Sequence, residues 1–280
     1  MGLEITPSGE ACGATLRGVD WATDVDPAKV AEVRAAWVEH GVLAFPDQHL
    51  TDDDLERFTR SFGPFGVDTF FEPIDGHPHI AALHRLADET APIFADTWHA
   101  DWSFQDRPPI GTCLYGKIIP PVGGDTLYVN QRASLAAMPS ELRSKIEGRL
   151  AIHSAKRGYS PDGVYGDADE GNVRAMRIVV NDTAYETRTH PFIRVHDETG
   201  EESLYGIFGY ICGIEGMGDE DANELLLELY TWQTRDEFRY VHHWEPNMLV
   251  MWDNRTILHK ATGGYDGHER LLHRTTIGAA

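Results

Sequence analysis

His99 and Asp101, in the run Trp98-His99-Ala100-Asp101-Trp102, are the residues of this chain whose types and spacing most directly suggest chemistry. On an extended strand alternate side chains share a face. His99 and Asp101 then project together, while Trp98, Ala100 and Trp102 turn the other way into packing. A neutral imidazole beside a carboxylate offers two ligands to a divalent metal, and a second histidine completes the ligand face of non-haem Fe(II) oxygenases. Alone the triplet is a weak signal, because the chain has 14 histidines and a short motif of this kind also serves structural ends.

The third ligand has to come from far along the sequence, since a strand face presents only two adjacent positions. His242, His243, His259, His268 and His273 are the candidates. His259 has the most telling context: it follows the strand-like run Met248–Trp252 and the polar turn Asp253-Asn254-Arg255, and Arg270 and Arg274 come shortly after it. Two arginines four residues apart share a face in a strand or in a helix. They aim two guanidinium groups at one region, and arginine suits bidentate recognition of carboxylates. For so acidic a chain, a pair of surface salt bridges is the alternative.

Taken together, Trp98-His99-x-Asp101, Gly123-Gly124-Asp125-Thr126, Trp252-Asp253-Asn254-Arg255 with His259, and Arg270 with Arg274 resemble the TauD/TfdA family in order, spacing and type. These are Fe(II)- and 2-oxoglutarate-dependent dioxygenases, and the likeness runs from the N-terminal strands to Ile277. It implies a mainly β fold with flanking helices around a double-stranded β-helix, the cupin-like jelly roll. It also implies roles: His99, Asp101 and His259 hold the iron, and Arg270 and the Thr126 hydroxyl bind the distal carboxylate of 2-oxoglutarate. Arg274 faces the sulfonate or carboxylate of the substrate. The implied reaction consumes O2 and couples decarboxylation of 2-oxoglutarate, giving succinate and CO2, to oxidation of a substrate carbon held near the metal. Asp101 stands where halogenating relatives vacate a ligand position, so hydroxylation is expected and halogenation is not.

Taurine-specific members carry a substrate-contacting histidine in the region that here reads Asp68-Thr69-Phe70-Phe71, which argues against taurine as substrate. Phe70, Phe71, Trp98, Phe104 and Tyr159 could instead line an apolar pocket, with Phe71 and Tyr159 as substrate contacts. An aryloxyalkanoate or another small hydrophobic acid is the expected substrate. Two other classes fit the metal triad: a zinc hydrolase acting through an activated water, and a non-catalytic metal-binding cupin. The first leaves the paired arginines and Thr126 without a shared purpose; the near-complete catalytic set speaks against the second.

Composition is consistent with a small-molecule enzyme. With 24 basic and 45 acidic residues the formal charge is -21, a field that opposes nucleic acid and anionic membranes as partners. A small anionic substrate therefore needs arginines inside its pocket. Oligomeric state is open, a homo-oligomer included. Cys12, Cys113 and Cys212 are odd in number and lack C-x-x-C spacing, which argues against a disulfide framework or a structural zinc site. No apolar run approaches a membrane span, and the N-terminus has no signal-peptide pattern. A reducing cytoplasm is the expected location.

The elements that must position these residues can be read in outline. Short strands are expected within Leu3–Leu16, and a helix opens at Asp26-Pro27 with Val30, Val33 and Trp37 as its apolar face. Residues 41–46 form a buried strand. Thr51 caps a second helix whose stripe is Leu55, Phe58 and Phe62. Residues 63–97 and 154–190 are polar, irregular excursions and candidate lids. Strands are expected at 111–119 and 126–129, a helix at 139–147, and a strand pair around the turn 198–200. A helix at 219–234 and strands at 240–244, 248–252 and 270–277 complete a single domain spanning 1–280.

Overall fold

The computed structural model describes residues 2–23, 25–166, 169 and 171–279. The chain opens with β1 (Glu4–Pro7) and β2 (Ala14–Arg17), and then enters α1 (Pro27–His40). Asp26 starts this helix by accepting the Ala28 N–H, Pro27 brings a pre-set φ, and Gly41 ends it at φ +73°, a conformation glycine adopts without strain. After β3 (Val42–Phe45) comes α2 (Asp52–Phe62), where Thr51 and Asp54 form a capping box and three acids occupy the first turn. Opposite partial charges at the helix terminus reward both arrangements.

The middle of the chain carries β4 (Pro73–Ile74), β5 (His77–Arg85), β6 (Gly111–Ile118) and β7 (Thr126–Asn130). Next come α3 (Gln131–Ala136), α4 (Ser140–Ile146), β8 (Leu150–Ser154) and α5 (Lys156–Tyr159). β9 (Thr187–Pro191), β10 (Ile193–Val195), β11 (Glu202–Leu204) and β12 (Ile211–Ile214) lead into α6 (Asp219–Gln233). The chain closes with β13 (Arg239–His242), β14 (Leu249–Asp253), β15 (Ile257–Ala261) and β16 (Arg270–Ile277).

An eight-stranded sheet in the order β1-β2-β3-β14-β6-β16-β5-β4 faces a three-stranded sheet in the order β13-β7-β15. Side-chain alternation along β14 shows the facing. Every residue of β14 is buried: Leu249 and Met251 join Val33, Trp37, Leu55 and Phe58 of the two N-terminal helices, while Val250 and Trp252 join Tyr128, Tyr240 and Ile257 of the small sheet. Each large apolar side chain buried in this seam stabilises the fold by about 1.5–3 kcal/mol. A third layer gathers β8, β9 and β12 with α3, α4 and α6 around Leu142, Ile146, Ile211 and Leu226.

The structure corrects several expectations. The pentad around His99 is not a continuous strand: His99 makes a single bridge to His259, and residues 101–104 turn, with Trp102 at φ 50°. Trp98 and Ala100 pack together against Val129 and Leu258, whereas the turn sends Trp102 into a different cluster with Phe70, Phe71 and Tyr159. The excursion 63–97 contains β5, an interior strand of the large sheet whose residues 81–85 pair with β16. β5 is hard to read because only Ile80 and Ala81 of its nine residues are fully buried. The segment 154–190 likewise contains α5 and most of β9. No helix among the described residues is long and apolar enough to cross a membrane.

Candidate active site

His99 and His259 meet because their backbones pair. The His99 N–H donates to the His259 carbonyl at 3.0 Å and the His259 N–H donates back at 2.9 Å. This reciprocal pair lays the segment before the turn along the free edge of β15, with ring centroids 4.2 Å apart. The turn at residue 101 then swings Asp101 back toward both rings, its carboxylate 3.7 Å from His99 Nε2 and 3.9 Å from His259 Nε2. The three donor atoms lie within 4.8 Å of one another.

Their protonation suits a metal. Burial, first, holds His99 below the ordinary histidine range despite Asp101 beside it. Burial and the neighbouring His99 push His259 down to about 3. Both rings are therefore neutral near pH 7 and keep a lone pair. His99 Nδ1 is 2.8 Å from the Thr97 carbonyl; a neutral ring can only donate there, which leaves Nε2 as the free acceptor. Burial alone raises the Asp101 carboxyl, but Arg274, the two histidines and the Thr112 hydroxyl outweigh it and hold Asp101 well below the usual carboxylate range.

A buried relay supports this carboxylate. Trp252 Nε1 donates to Asn254 Oδ1 at 2.9 Å, Asn254 Nδ2 donates to Thr112 Oγ1 at 2.9 Å, and Thr112 donates to Asp101 Oδ2 at 2.6 Å. The Trp-Asp-Asn run after β14 thus has a mechanical task. Asp253 has another: it accepts from Arg255 and lies 3.0 Å from His196 Nε2, which fastens the turn that precedes β15. Thr112 was not singled out in the sequence, where a buried threonine on a strand carries no distinguishing mark.

On β16 the residues Arg270, Leu272 and Arg274 share one face, and Leu272 packs in the seam between the two sheets. The two arginines differ electrostatically. Arg270 is buried, its Nε has no hydrogen bond, and among the described residues it has no ion-pair partner. Burial lowers it from its ordinary value, a sign of an unmatched cation. Its Nη2 donates to the Gly124 carbonyl at 3.0 Å. At Gly124, φ is +71°, and a Cβ there would stand 3.1 Å from Arg270 Nε, so the second glycine of Gly-Gly-Asp-Thr makes room for the guanidinium. Beside it, Trp244 Nε1 donates to Thr126 Oγ1 at 3.0 Å, which leaves the Thr126 proton free to donate elsewhere. Arg274 donates to Asp68 and lies 3.2 Å from Asp101 Oδ2.

His99, Asp101, His259, Thr126, Arg270, Arg274, Phe71 and Tyr159 all line one cleft, which encloses about 820 Å³ of space open to solvent. Phe94, Met176, Tyr265 and Leu114 also line it, as do the charged Arg85, Glu89 and Arg174, none of them anticipated. Of the other expected aromatics, Phe70 stacks behind Tyr159 with centroids 4.7 Å apart, Phe104 packs on Tyr210, and Trp98 belongs to a separate cluster. None of these three lines the cleft. The other histidine candidates lie elsewhere: His242 contacts Tyr240, His243 pairs with Asp125, His268 is exposed in the turn before β16, and His273 pairs with Asp52.

A family model described as taurine catabolism dioxygenase TauD, TfdA family, matches residues 4–276. The chain belongs to the TauD/TfdA family. This TauD/TfdA protein is similar to an alpha-ketoglutarate-dependent sulfate ester dioxygenase of Pseudomonas putida, 30% identical over 98% of this chain and 89% of that one. It is also similar to an (S)-phenoxypropionate/alpha-ketoglutarate-dioxygenase of Delftia acidovorans, 32% identical over 92% and 89%. A crystal structure of a taurine dioxygenase from Burkholderia xenovorans superposes with a TM-score of 0.81 at 29% identity, covering 100% of this chain and 92% of that one. This TauD/TfdA protein is an oxidoreductase, a dioxygenase that uses Fe(II), 2-oxoglutarate and O2.

Proposed function

We propose that this dioxygenase oxidises a small, largely apolar organic acid, with aryloxyalkanoates as the model class. The reading is carried by one observation: a two-histidine, one-carboxylate cluster and a buried arginine with no ion-pair partner among the described residues face the same cleft. A hydrolase gives that arginine nothing to bind; 2-oxoglutarate supplies the missing anion.

In this reading His99, Asp101 and His259 hold Fe(II), and Arg270 with the free Thr126 proton grips the distal carboxylate of 2-oxoglutarate. Bound iron with its cosubstrate and O2 supplies the oxidising power that turns 2-oxoglutarate into succinate and CO2 while a substrate C–H bond is oxidised. The chain's own work is positioning and exclusion. Leu114, Leu272 and Trp252 give the cleft an apolar floor that keeps water from competing. Phe71, Phe94 and Tyr159 receive the apolar body of the substrate, and its polar end meets Arg274. The stretches before and after β5 carry Phe71 and Phe94, α5 carries Tyr159, and these parts of the two excursions act as covers of the cleft. The two facing sheets support a jelly-roll description within one domain, and three free thiols, Cys12, Cys113 and Cys212, suit a reducing cytoplasm.

The test is anaerobic addition of Fe(II) and 2-oxoglutarate, followed by O2. A weak visible charge-transfer band and succinate formation stimulated by an aryloxyalkanoate panel are expected. Ester hydrolysis with zinc, together with indifference to 2-oxoglutarate, refutes the proposal.

A further inference from the structure

Asp68 is absent from the expected site, yet it is the residue that most constrains Arg274. A single oxygen, Asp68 Oδ1, accepts from both Arg274 Nη1 and Trp102 Nε1. The remaining terminal nitrogen of Arg274, Nη2, has no hydrogen bond and stands 3.2 Å from Asp101 Oδ2. The Phe71 and Trp102 rings lie 5.3 Å and 5.1 Å from the guanidinium carbon. Asp68 itself lines a second cavity that shares Phe71 with the main cleft. One buried positive charge therefore faces two fixed carboxylates, whereas Arg270 on the same strand face has no ion-pair partner among the described residues.

We propose that Asp68 is a specificity-determining residue, an internal counter-ion that disfavours permanently ionised sulfonate and sulfate head groups at Arg274. It favours heads that bring a hydrogen-bond donor, such as a carboxyl arriving with its proton or an amide. The proposal rests on the reading above that the polar end of the substrate meets Arg274. A sulfonate has acceptors only and has to share the Arg274 charge with Asp68; like charges brought together away from bulk water repel strongly. A head with an N–H or O–H accepts from Arg274 and donates to Asp68 in the same pose. The Trp102 indole holds Asp68 in place, so the carboxylate resists being swung aside. This is discrimination by a built-in repulsive element.

Benzenesulfonate and benzenesulfonamide are near-isosteric probes that differ in charge and in donors. Anaerobic titration calorimetry on the Fe(II)- and 2-oxoglutarate-loaded protein is expected to show the sulfonamide binding at least tenfold tighter than the sulfonate. In Asp68→Asn, with Asp68→Ser as a second variant, that ratio is expected to fall at least tenfold through gained sulfonate affinity. Arg274→Gln added to Asp68→Asn is expected to remove the gain. The proposal is overturned if wild type binds the sulfonate as tightly as the sulfonamide, if both Asp68 variants keep the wild-type ratio, or if none gains sulfonate binding. Basal succinate release from 2-oxoglutarate is measured alongside; its absence in wild type counts against the proposed function and leaves the probe ratio to be judged separately.

Discussion

Thr112→Val separates the support of the site from its ligands. Valine matches threonine in shape but removes the hydroxyl that donates to Asp101 Oδ2 at 2.6 Å and accepts from Asn254 Nδ2 at 2.9 Å. A hydrogen bond to a charged group is worth about 1.5–3 kcal/mol, and an amide left buried without a partner costs about 1–3 kcal/mol more. The two losses act on different observables. The stranded Asn254 lowers folding stability of the metal-free protein by about 1–3 kcal/mol, readable as a lower urea midpoint. The freed Asp101 is no longer aimed or held as firmly anionic, and outer-shell losses of this kind cost about 10–100-fold in metal affinity. Anaerobic competition for Fe(II) against a fluorescent chelator measures it. Because Trp252, Asn254 and Thr112 form one relay, Asn254→Leu combined with Thr112→Val is expected to cost less than the sum of the single changes. If Thr112→Val binds Fe(II) within twofold of wild type, the relay does not tune the site and the reasoning is wrong.

Arg270→Met is expected to raise the KM for 2-oxoglutarate at least about 30-fold, the cost of removing one partner of a charged pair. It should leave the melting temperature of the metal-free protein unchanged or higher, because an unmatched buried cation disappears; a large drop in melting temperature with an unchanged KM contradicts this. Burial holds His153 and His242 at about 3, so below about pH 6.5 the unfolded chain takes up protons that the folded chain refuses. Their stabilising contribution is complete above that pH and lost progressively as pH falls, by about 2 kcal/mol for each histidine at pH 5, and equal urea midpoints at pH 7.5 and 5.0 would rule it out. Burial raises Cys12 and pushes Cys113 up to about 12, while Cys212 is only half-buried. A thiol reagent should therefore titrate one cysteine in the native protein and three in urea; rapid reaction of all three in the native state would contradict the burial.

How much of this was legible beforehand depended on whether a residue's role was local. β16 is a strand over the expected residues, and its two arginines share a face as their spacing requires, because alternation is a property of the strand itself. The helices at 27–40 and 52–62 were legible for the same reason: caps and stripes are encoded within a few residues. His99 and Asp101 do converge, but by a turn at Asp101 where continuous alternation was expected. That turn is set by the tertiary fit of Trp102 among Phe70, Phe71 and Tyr159. β5 and β15 were not recognised because their sheet character comes from distant partners, β16 for one and β7 for the other. Asp68 meets Arg274 across 206 residues, Thr112 links Asp101 to Asn254 across 142, and no local pattern marks either.

The reciprocal backbone bonds between His99 and His259 have a further consequence. They clamp the two segments through main-chain atoms alone, so losing the metal does not dismantle the ligand geometry. For a site that holds Fe(II) as proposed, oxidised or leached iron can be replaced without refolding. The same rigidity removes folding as a filter on metal identity. A preformed pair of imidazoles and a carboxylate is expected to take Co(II), Ni(II) and Cu(II) more tightly than Fe(II), so which metal the site holds follows from which metal the surroundings supply.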